Sequence, residues 1–283
     1  MLPWIQRTLV VVPTLLAASI AAPARAQSDT STSGRSLFTY RDGLLAVAVT
    51  AGALLVRPLD EQYAVRLQDS STQANRRLHV LSRLVRTTTA PGSYIIGSTM
   101  YLAGRVTKEQ HLTELGLRGT EALLVGEAVG GVMKVVFGRQ RPDVEPRNAN
   151  GFGFMRGLMG GDPYHSFPSG HTLAAFAAAA AVTSETSKWW PSTQFIIGPI
   201  MFGGATITGM SRMYDNRHWA SDVIVGAGLG TFAGLKVVRY HNAHPGTRID
   251  RLLLSGSIVP TATGGHAFHW SLLPGVSLGG PRR

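Results

Sequence analysis

A chain of 283 residues is long enough for one sizeable domain, and no long polar linker divides it into two. Its 27 lysines and arginines outnumber 16 aspartates and glutamates, a formal +11 that suits anionic partners such as phosphorylated substrates or acidic lipids. No base-reading motif accompanies that charge, so nucleic acid is set aside, and the absence of cysteine excludes disulfides and thiolate-held metals.

Residues 1–26 read as a secretory signal peptide. Arg7 supplies the basic start, Thr8 to Ala22 the apolar run, and Ala24-Arg25-Ala26 the small-residue cleavage site. The other reading is an uncleaved membrane anchor, although a run this short fits a leader better than a span. Removal would take Arg7 and Arg25 and leave 25 − 16 = +9. Export to the periplasmic side follows from the leader. Residues 27–40 are Ser/Thr-rich at their start and are expected to be a disordered mature N-terminus, residues 41–240 a helical-bundle domain, and residues 241–283 a C-terminal extension.

Gly43 to Val56 is an apolar helix candidate stopped by Arg57-Pro58. Leu59 to Thr89, rich in Arg and Gln on a broken helical period, predicts a surface helix or helix pair, and Pro91-Gly92 marks a turn. Ser93 to Gly104 and Leu115 to Gly138 are further apolar segments. The second of these carries Glu121, Glu127 and Lys134, so its faces should differ; the two glutamates are read as a solvated face or as partners for nearby arginines. Asp143 to Pro163 is a Gly-, Asn- and Pro-rich loop. It is read either as a lid offering Phe152, Phe154 and Met155 to an apolar substrate part or as a loop those side chains pack onto the core.

Leu173 to Val182 is alanine-rich and admits a close helix neighbour, and Trp189-Trp190 suits a membrane interface. Phe195 to Met210 is apolar but interrupted by Pro199 and Gly203-Gly204. Asp222 to Val238 is the last helix, with Gly226, Gly230 and Gly234 forming a close-packing stripe. Leu252 to Pro260 and His266 to Leu273 flank Thr-Ala-Thr-Gly-Gly and suggest a short C-terminal β-hairpin. The apolar runs at Gly43–Val56 and Val223–Leu235 fall short of the roughly 20 residues of a span. Against that, the uncharged stretch Trp189 to Ser211, the glycine stripe and the positive surface favour membrane association.

Three phrases carry chemistry. Lys134, Arg141 and Arg212 offer cationic donors to the anionic oxygens of a phosphoryl group, the two arginines in a fixed fork. Pro168-Ser169-Gly170 reads as a turn opening a helix, where backbone N–H groups bind anions and glycine lets the backbone come close. His218 lies four residues before Asp222, a helical spacing that would put both on one face, with the carboxylate holding one ring nitrogen and the other free to attack phosphorus. His171, just inside its helix, is placed to protonate a departing alkoxide. A His pair with a carboxylate is also a possible metal site, but three neighbouring cations would repel a divalent ion, so no metal or other cofactor is expected. The remaining histidines, His79, His111, His241, His244, His266 and His269, are given ordinary structural roles, while His165 could line the pocket.

These phrases, Lys134-x6-Arg141-Pro142, Pro168-Ser169-Gly170-His171 and Ser211-Arg212-x5-His218-x3-Asp222, resemble the pattern of the type-2 phosphatidic acid phosphatase and vanadium haloperoxidase superfamily over the middle of the chain. The resemblance implies an all-α bundle of about six core helices and metal-independent hydrolysis of phosphate monoesters or lipid (di)phosphates through a phosphohistidine. His218 would be the nucleophile, Asp222 its orienting partner and His171 the acid, with Lys134, Arg141, Ser169, Gly170 and Arg212 holding the phosphate. Two rivals share the same residues. One is a haloperoxidase with vanadate as its cofactor and His218 as axial ligand; the other is a non-catalytic membrane protein that keeps the fold.

Overall fold

The first helix, α1 (Tyr40–Val56), starts at a Thr39 cap whose N–H donates to Asp42 Oδ2 at 2.5 Å. It ends where Pro58 enters a short 3-10 turn, Arg57–Leu59, as the sequence predicts. The chain is a computed structural model that describes residues 38–244 and the backbone of two strands beyond them. The signal peptide reading and residues 27–37 of the disordered segment lie outside the described residues; Tyr40, expected in that segment, opens α1.

The segment after α1 is a cluster of short helices, α2 (Asp60–Leu67), α3 (Ser70–Gln73) and α4 (Arg76–Thr89). Asp69 and Asn75 cap the second and third of these, Asn75 Oδ1 accepting from Arg77 N–H and Leu78 N–H. Helix α5 (Gly92–Thr107) begins at the Pro91 turn and packs against α6 (Gln110–Phe137), which stops at Gly138 in the left-handed region with φ 43°. A side chain there would meet the Gly153 carbonyl at 2.5 Å, so glycine is required twice over: for its backbone angle and for the loop that closes on it.

The 143–163 loop holds one short helix, α7 (Arg156–Gly160), and a 3-10 turn at Asp162–Tyr164. Three long helices follow: α8 (Gly170–Trp189), α9 (Gln194–Tyr214) and α10 (Ala220–Ala243). The described residues therefore form an all-α bundle. Seven helices of 14 residues or more are present among them, in keeping with about six core helices, the Arg-rich segment adding α4 alongside the apolar ones. The interruption expected at Pro199 is absent: α9 continues through it, and the proline, as the helix's sixth residue, gives up the i−4 bond to the Phe195 carbonyl without ending the helix.

α8 is the bundle's central helix, with Leu173, Ala174, Ala177, Ala179 and Ala181 fully buried, and α6, α9 and α10 packed around it. Its alanines leave room for the glycine stripe of α10. Added β-carbons at Gly226 and Gly234 would sit 2.6 Å and 2.5 Å from the Ser169 and Ala177 carbonyl oxygens, and one at Gly230 would strike the Leu173 carbonyl. The two backbones touch directly, as the four-residue spacing of small residues implies. The expected hairpin is found as two antiparallel strands, Gly256–Pro260 and His266–Trp270, in register with Ile258 opposite Phe268.

Candidate active site

The three phrases come together at one end of the four packed helices. Lys134 comes from the last turn of α6, Arg141 from the chain just beyond it, His171 from the first turn of α8 and Arg212 from the last turn of α9. His218 is held in the turn before α10. Lys134, Arg141 and Arg212 each lie close enough to bear electrostatically on both His171 and His218. The Lys134 ammonium sits against Gly170: a β-carbon there would be 2.7 Å from Nζ, with the Glu127 carboxylate at 3.4 Å. Glycine thus keeps open the space that the cation fills. Glu127 is a neighbour of the site lysine, whereas Glu121 pairs with Arg118 at 3.6 Å and with His241 Nε2 at 2.8 Å, the partner role expected of it.

Ser169 is fully buried, and its hydroxyl pairs with Thr172 Oγ1 at 2.8 Å, while its N–H donates to the Asp222 carbonyl at 3.1 Å. Its side chain is therefore engaged in building the turn. The donors that this turn offers an anion are the N–H groups from Gly170 onward, which open α8 and lack intrahelical acceptors.

His218 is buried, and its Nδ1 lies 2.6 Å from the Ser166 carbonyl. A carbonyl only accepts, so Nδ1 carries the proton and Nε2 keeps its lone pair. Burial first, and then the charges of Arg141, Arg212 and Lys134, push the imidazole's pKa well below its usual value, so the ring is neutral at pH 7.

The direct His218–Asp222 contact expected from the four-residue spacing is replaced by a relay. Trp219 is in an extended conformation (φ −73°, ψ 158°) and α10 starts only at Ala220, so His218 precedes the helix and the helical spacing does not apply. Asp222 instead accepts from Trp219 N–H at 3.0 Å and from Ser166 Oγ at 2.6 Å. Ser166 thus joins the two, its hydroxyl on the carboxylate and its carbonyl on the ring.

Behind Asp222 is a buried group that sequence reading missed. Arg139, 1% exposed, donates to Asp222 Oδ1 at 2.5 Å, Asp60 Oδ2 at 2.8 Å and Ser221 Oγ at 2.8 Å. Two carboxylates against one guanidinium leave the cluster beneath His218 one negative charge in excess. Arg139 lies in the same phrase as Arg141, and its two-residue offset was the available signal; Asp60, 79 residues away, had none.

Arg141 donates to Asp162 Oδ1 at 2.6 Å and to the Asp162 carbonyl at 2.7 Å, and Arg217 binds the other oxygen of that carboxylate. The 143–163 loop is thereby clamped to the site. Phe152 packs on Phe167 at 5.8 Å and over the Arg139 guanidinium at 4.8 Å, so it anchors the loop, whereas Phe154 is 86% exposed. His165 points Nε2 at the Gly157 carbonyl (2.8 Å) within the same loop.

The family model described as the PAP2 superfamily matches residues 117–245, which contain every residue of the three phrases. This segment is similar to members of the PAP2 superfamily. Among curated relatives, the chain is 34% identical over 123 residues to a lipid A 1-phosphatase of Porphyromonas gingivalis, covering 40% of this chain and 22% of that protein. It is 32% identical over 130 residues to a probable lipid phosphate phosphatase beta of Arabidopsis thaliana, covering 39% and 58% respectively. The matches thus span less than two thirds of either relative's length. A solved transmembrane PAP2-type phosphatidylglycerolphosphate phosphatase from Bacillus subtilis superposes with a TM-score of 0.49 at 20% identity, over 74% of this chain and 99% of that one. Within the PAP2 segment fall all of the site's histidines and cradle cations; Asp60, which anchors Arg139, lies outside it.

Proposed function

We propose that this protein hydrolyses lipid phosphate esters or diphosphates by way of a phosphohistidine on His218. The observation that carries this reading is the tautomer of His218: a neutral ring, protonated at Nδ1 by its bond to a carbonyl, keeps an unshared pair on Nε2 within the electrostatic reach of Arg141, Arg212 and Lys134. Attack by Nε2 on phosphorus would break the bond to the leaving oxygen, which takes a proton from His171. Burial and the cradle cations hold that ring's pKa down to about 3 in the free protein, so it would carry the proton only once the bound phosphate offsets those cations. Water then attacks the phosphohistidine, giving its proton back to His171 and releasing phosphate and neutral His218. Lys134, Arg141, Arg212 and the N–H groups from Gly170 onward would hold the three equatorial oxygens and offset the charge they gather. The imidazolium formed during attack is favoured by the Ser166 carbonyl and by the excess negative charge of the Asp222–Arg139–Asp60 cluster below it. The lipid character of the substrate is supported by the names of the two curated relatives, both lipid phosphatases.

We further infer a membrane location. Two helical stretches, Tyr40–Leu67 and Ala220–Ala243, are long and apolar enough to cross a bilayer, and the first is almost wholly exposed. Both exceed the short apolar runs read from sequence, because the helices continue into their polar ends. The test is a phosphate-release panel on detergent-purified protein, comparing lipid and soluble esters with and without a chelator. Release that survives the chelator and is inhibited by vanadate supports the reading. Release that needs a divalent metal would overturn it, and halide-dependent peroxidation appearing only with added vanadate would replace it.

A further inference from the structure

Beside the phosphate cradle lies a cavity of about 480 Å³ whose walls the catalytic reading does not use. Arg212 is its one link to the cradle. The other walls are Gln73 from α3, His79, Arg83 and Arg86 from α4, and Asp215 and Arg217 from the turn after α9. This volume falls within the roughly 300–1,000 Å³ of ligand pockets, more than a single phosphoryl group fills. Among the described residues no aliphatic side chain lines it, so it is unsuited to a lipid tail.

The charges show what it is suited to. Arg212 is already paired with Asp215 at 2.6 Å, and Arg217 with Asp143 and Asp162. Arg83 and Arg86 have no ion-pair partner among the described residues, although they are like charges three apart on one helix face, an arrangement that costs rather than stabilises. Arg86 bears electrostatically on Arg212, so this unbalanced charge reaches the edge of the cradle. Arg212, which the cavity shares with the cradle, has its Nε buried without a hydrogen-bond partner among the described residues. A buried donor left unmade is costly, and an anion seated here would satisfy it.

We propose that this cavity is a second anion subsite that binds a phosphate group of the substrate other than the one transferred to His218. The inference rests on the phosphatase reading above and narrows its substrate class to lipid phosphates bearing two phosphate groups. The second group could be joined directly, as in a diphosphate, or spaced by a short alcohol, as in a phosphodiester-linked monophosphate.

The experiment compares wild type with the Arg83→Gln/Arg86→Gln double variant on two matched pairs in detergent micelles: farnesyl diphosphate against farnesyl monophosphate, and phosphatidylglycerol phosphate against phosphatidic acid. The double variant should lose on the order of tenfold or more in kcat/KM on a doubly phosphorylated member, the scale of losing charge-assisted bonds. Its loss on the singly phosphorylated counterpart should stay within about twofold, and Arg83→Lys/Arg86→Lys should recover part of the difference by restoring charge. Loss confined to the diphosphate pair identifies a directly joined second phosphate; loss confined to the other pair identifies a spaced one. Equal losses on both members of each pair, or no loss on any substrate, would overturn the subsite while leaving the hydrolase intact. A wild-type protein inert on all four would instead remove the phosphatase reading, and the subsite with it. Inhibition by inorganic pyrophosphate supplies a second readout: its advantage over inorganic phosphate should shrink in the double variant, and an unaltered ratio would count against the proposal.

Discussion

His218 and Asp222 show how much one backbone torsion decides. With Trp219 extended, the carboxylate reaches the ring through Ser166 rather than directly, and its charge is shared with Arg139 and Asp60. The roles are separable by substitution. His218→Ala should reduce phosphate release by at least about 10³-fold on every ester, since no phosphoenzyme can form. His171→Ala should cost about 10²–10⁴-fold on lipid esters and far less on p-nitrophenyl phosphate, whose leaving group needs no proton. Steady-state rates on the two substrate types check both, and near-normal release from the aryl ester by His218→Ala would contradict the nucleophile assignment. Arg139 belongs to the same scale but to stability: Arg139→Leu strands two fully buried carboxylates, which should destabilise the fold by about 3–5 kcal/mol, read as a lowered melting temperature. Asp60→Asn removes one charge and keeps the shape, and a loss in kcat with KM held within twofold would mark the cluster as acting on His218.

Helix α10 is where sequence and structure agree most closely. Its glycines repeat every four residues, and that repeat alone predicts backbone contact with an alanine-rich neighbour, which α8 supplies. Gly230→Ala should therefore destabilise by about 1–3 kcal/mol, because the obstruction is the Leu173 carbonyl rather than a movable side chain. Gly131→Ala on α6, where a β-carbon meets nothing within 4 Å, is the control, and thermal unfolding of the pair decides the point. The phrases around Lys134, His171 and Arg212 were legible for a related reason, since each carries its chemistry within a few adjacent residues. Asp60, Arg83 and Arg86 were not. Their meaning depends on α2 and α4 folding back onto the ends of α9 and α10, a long-range packing event that leaves no local period or spacing behind. Pro199 misled in the opposite direction, because packing of α9 against α8 carries the helix through a residue whose local preference is to break it.

At the scale of the whole molecule, the apolar surface is the feature a water-soluble bundle would not carry. Leu44 and Leu55 on α1, Ile96 and Leu102 on α5, Leu124 and Val132 on α6, and Ile200 on α9 are all more than half exposed. Scattered apolar residues need no explanation, but so many large ones exposed on four helices are the kind of surface that meets a membrane or a partner. The polar site residues gather at the end of the bundle, where water would reach the phosphohistidine proposed on His218. Leu124, midway along α6 and 56% exposed, separates the two environments in one substitution. If this surface faces water, Leu124→Arg should alter stability by no more than about 0.5 kcal/mol, as exposed substitutions do. If it faces lipid, the arginine costs about 2.5–3.5 kcal/mol of insertion free energy at a helix centre. The yield of folded, active protein in the membrane fraction should then fall sharply, while wild type requires detergent to stay monodisperse. Recovery of wild type in an osmotic-shock extract, with Leu124→Arg equally stable there, would place this surface in water and leave the chemistry at His218 unaffected.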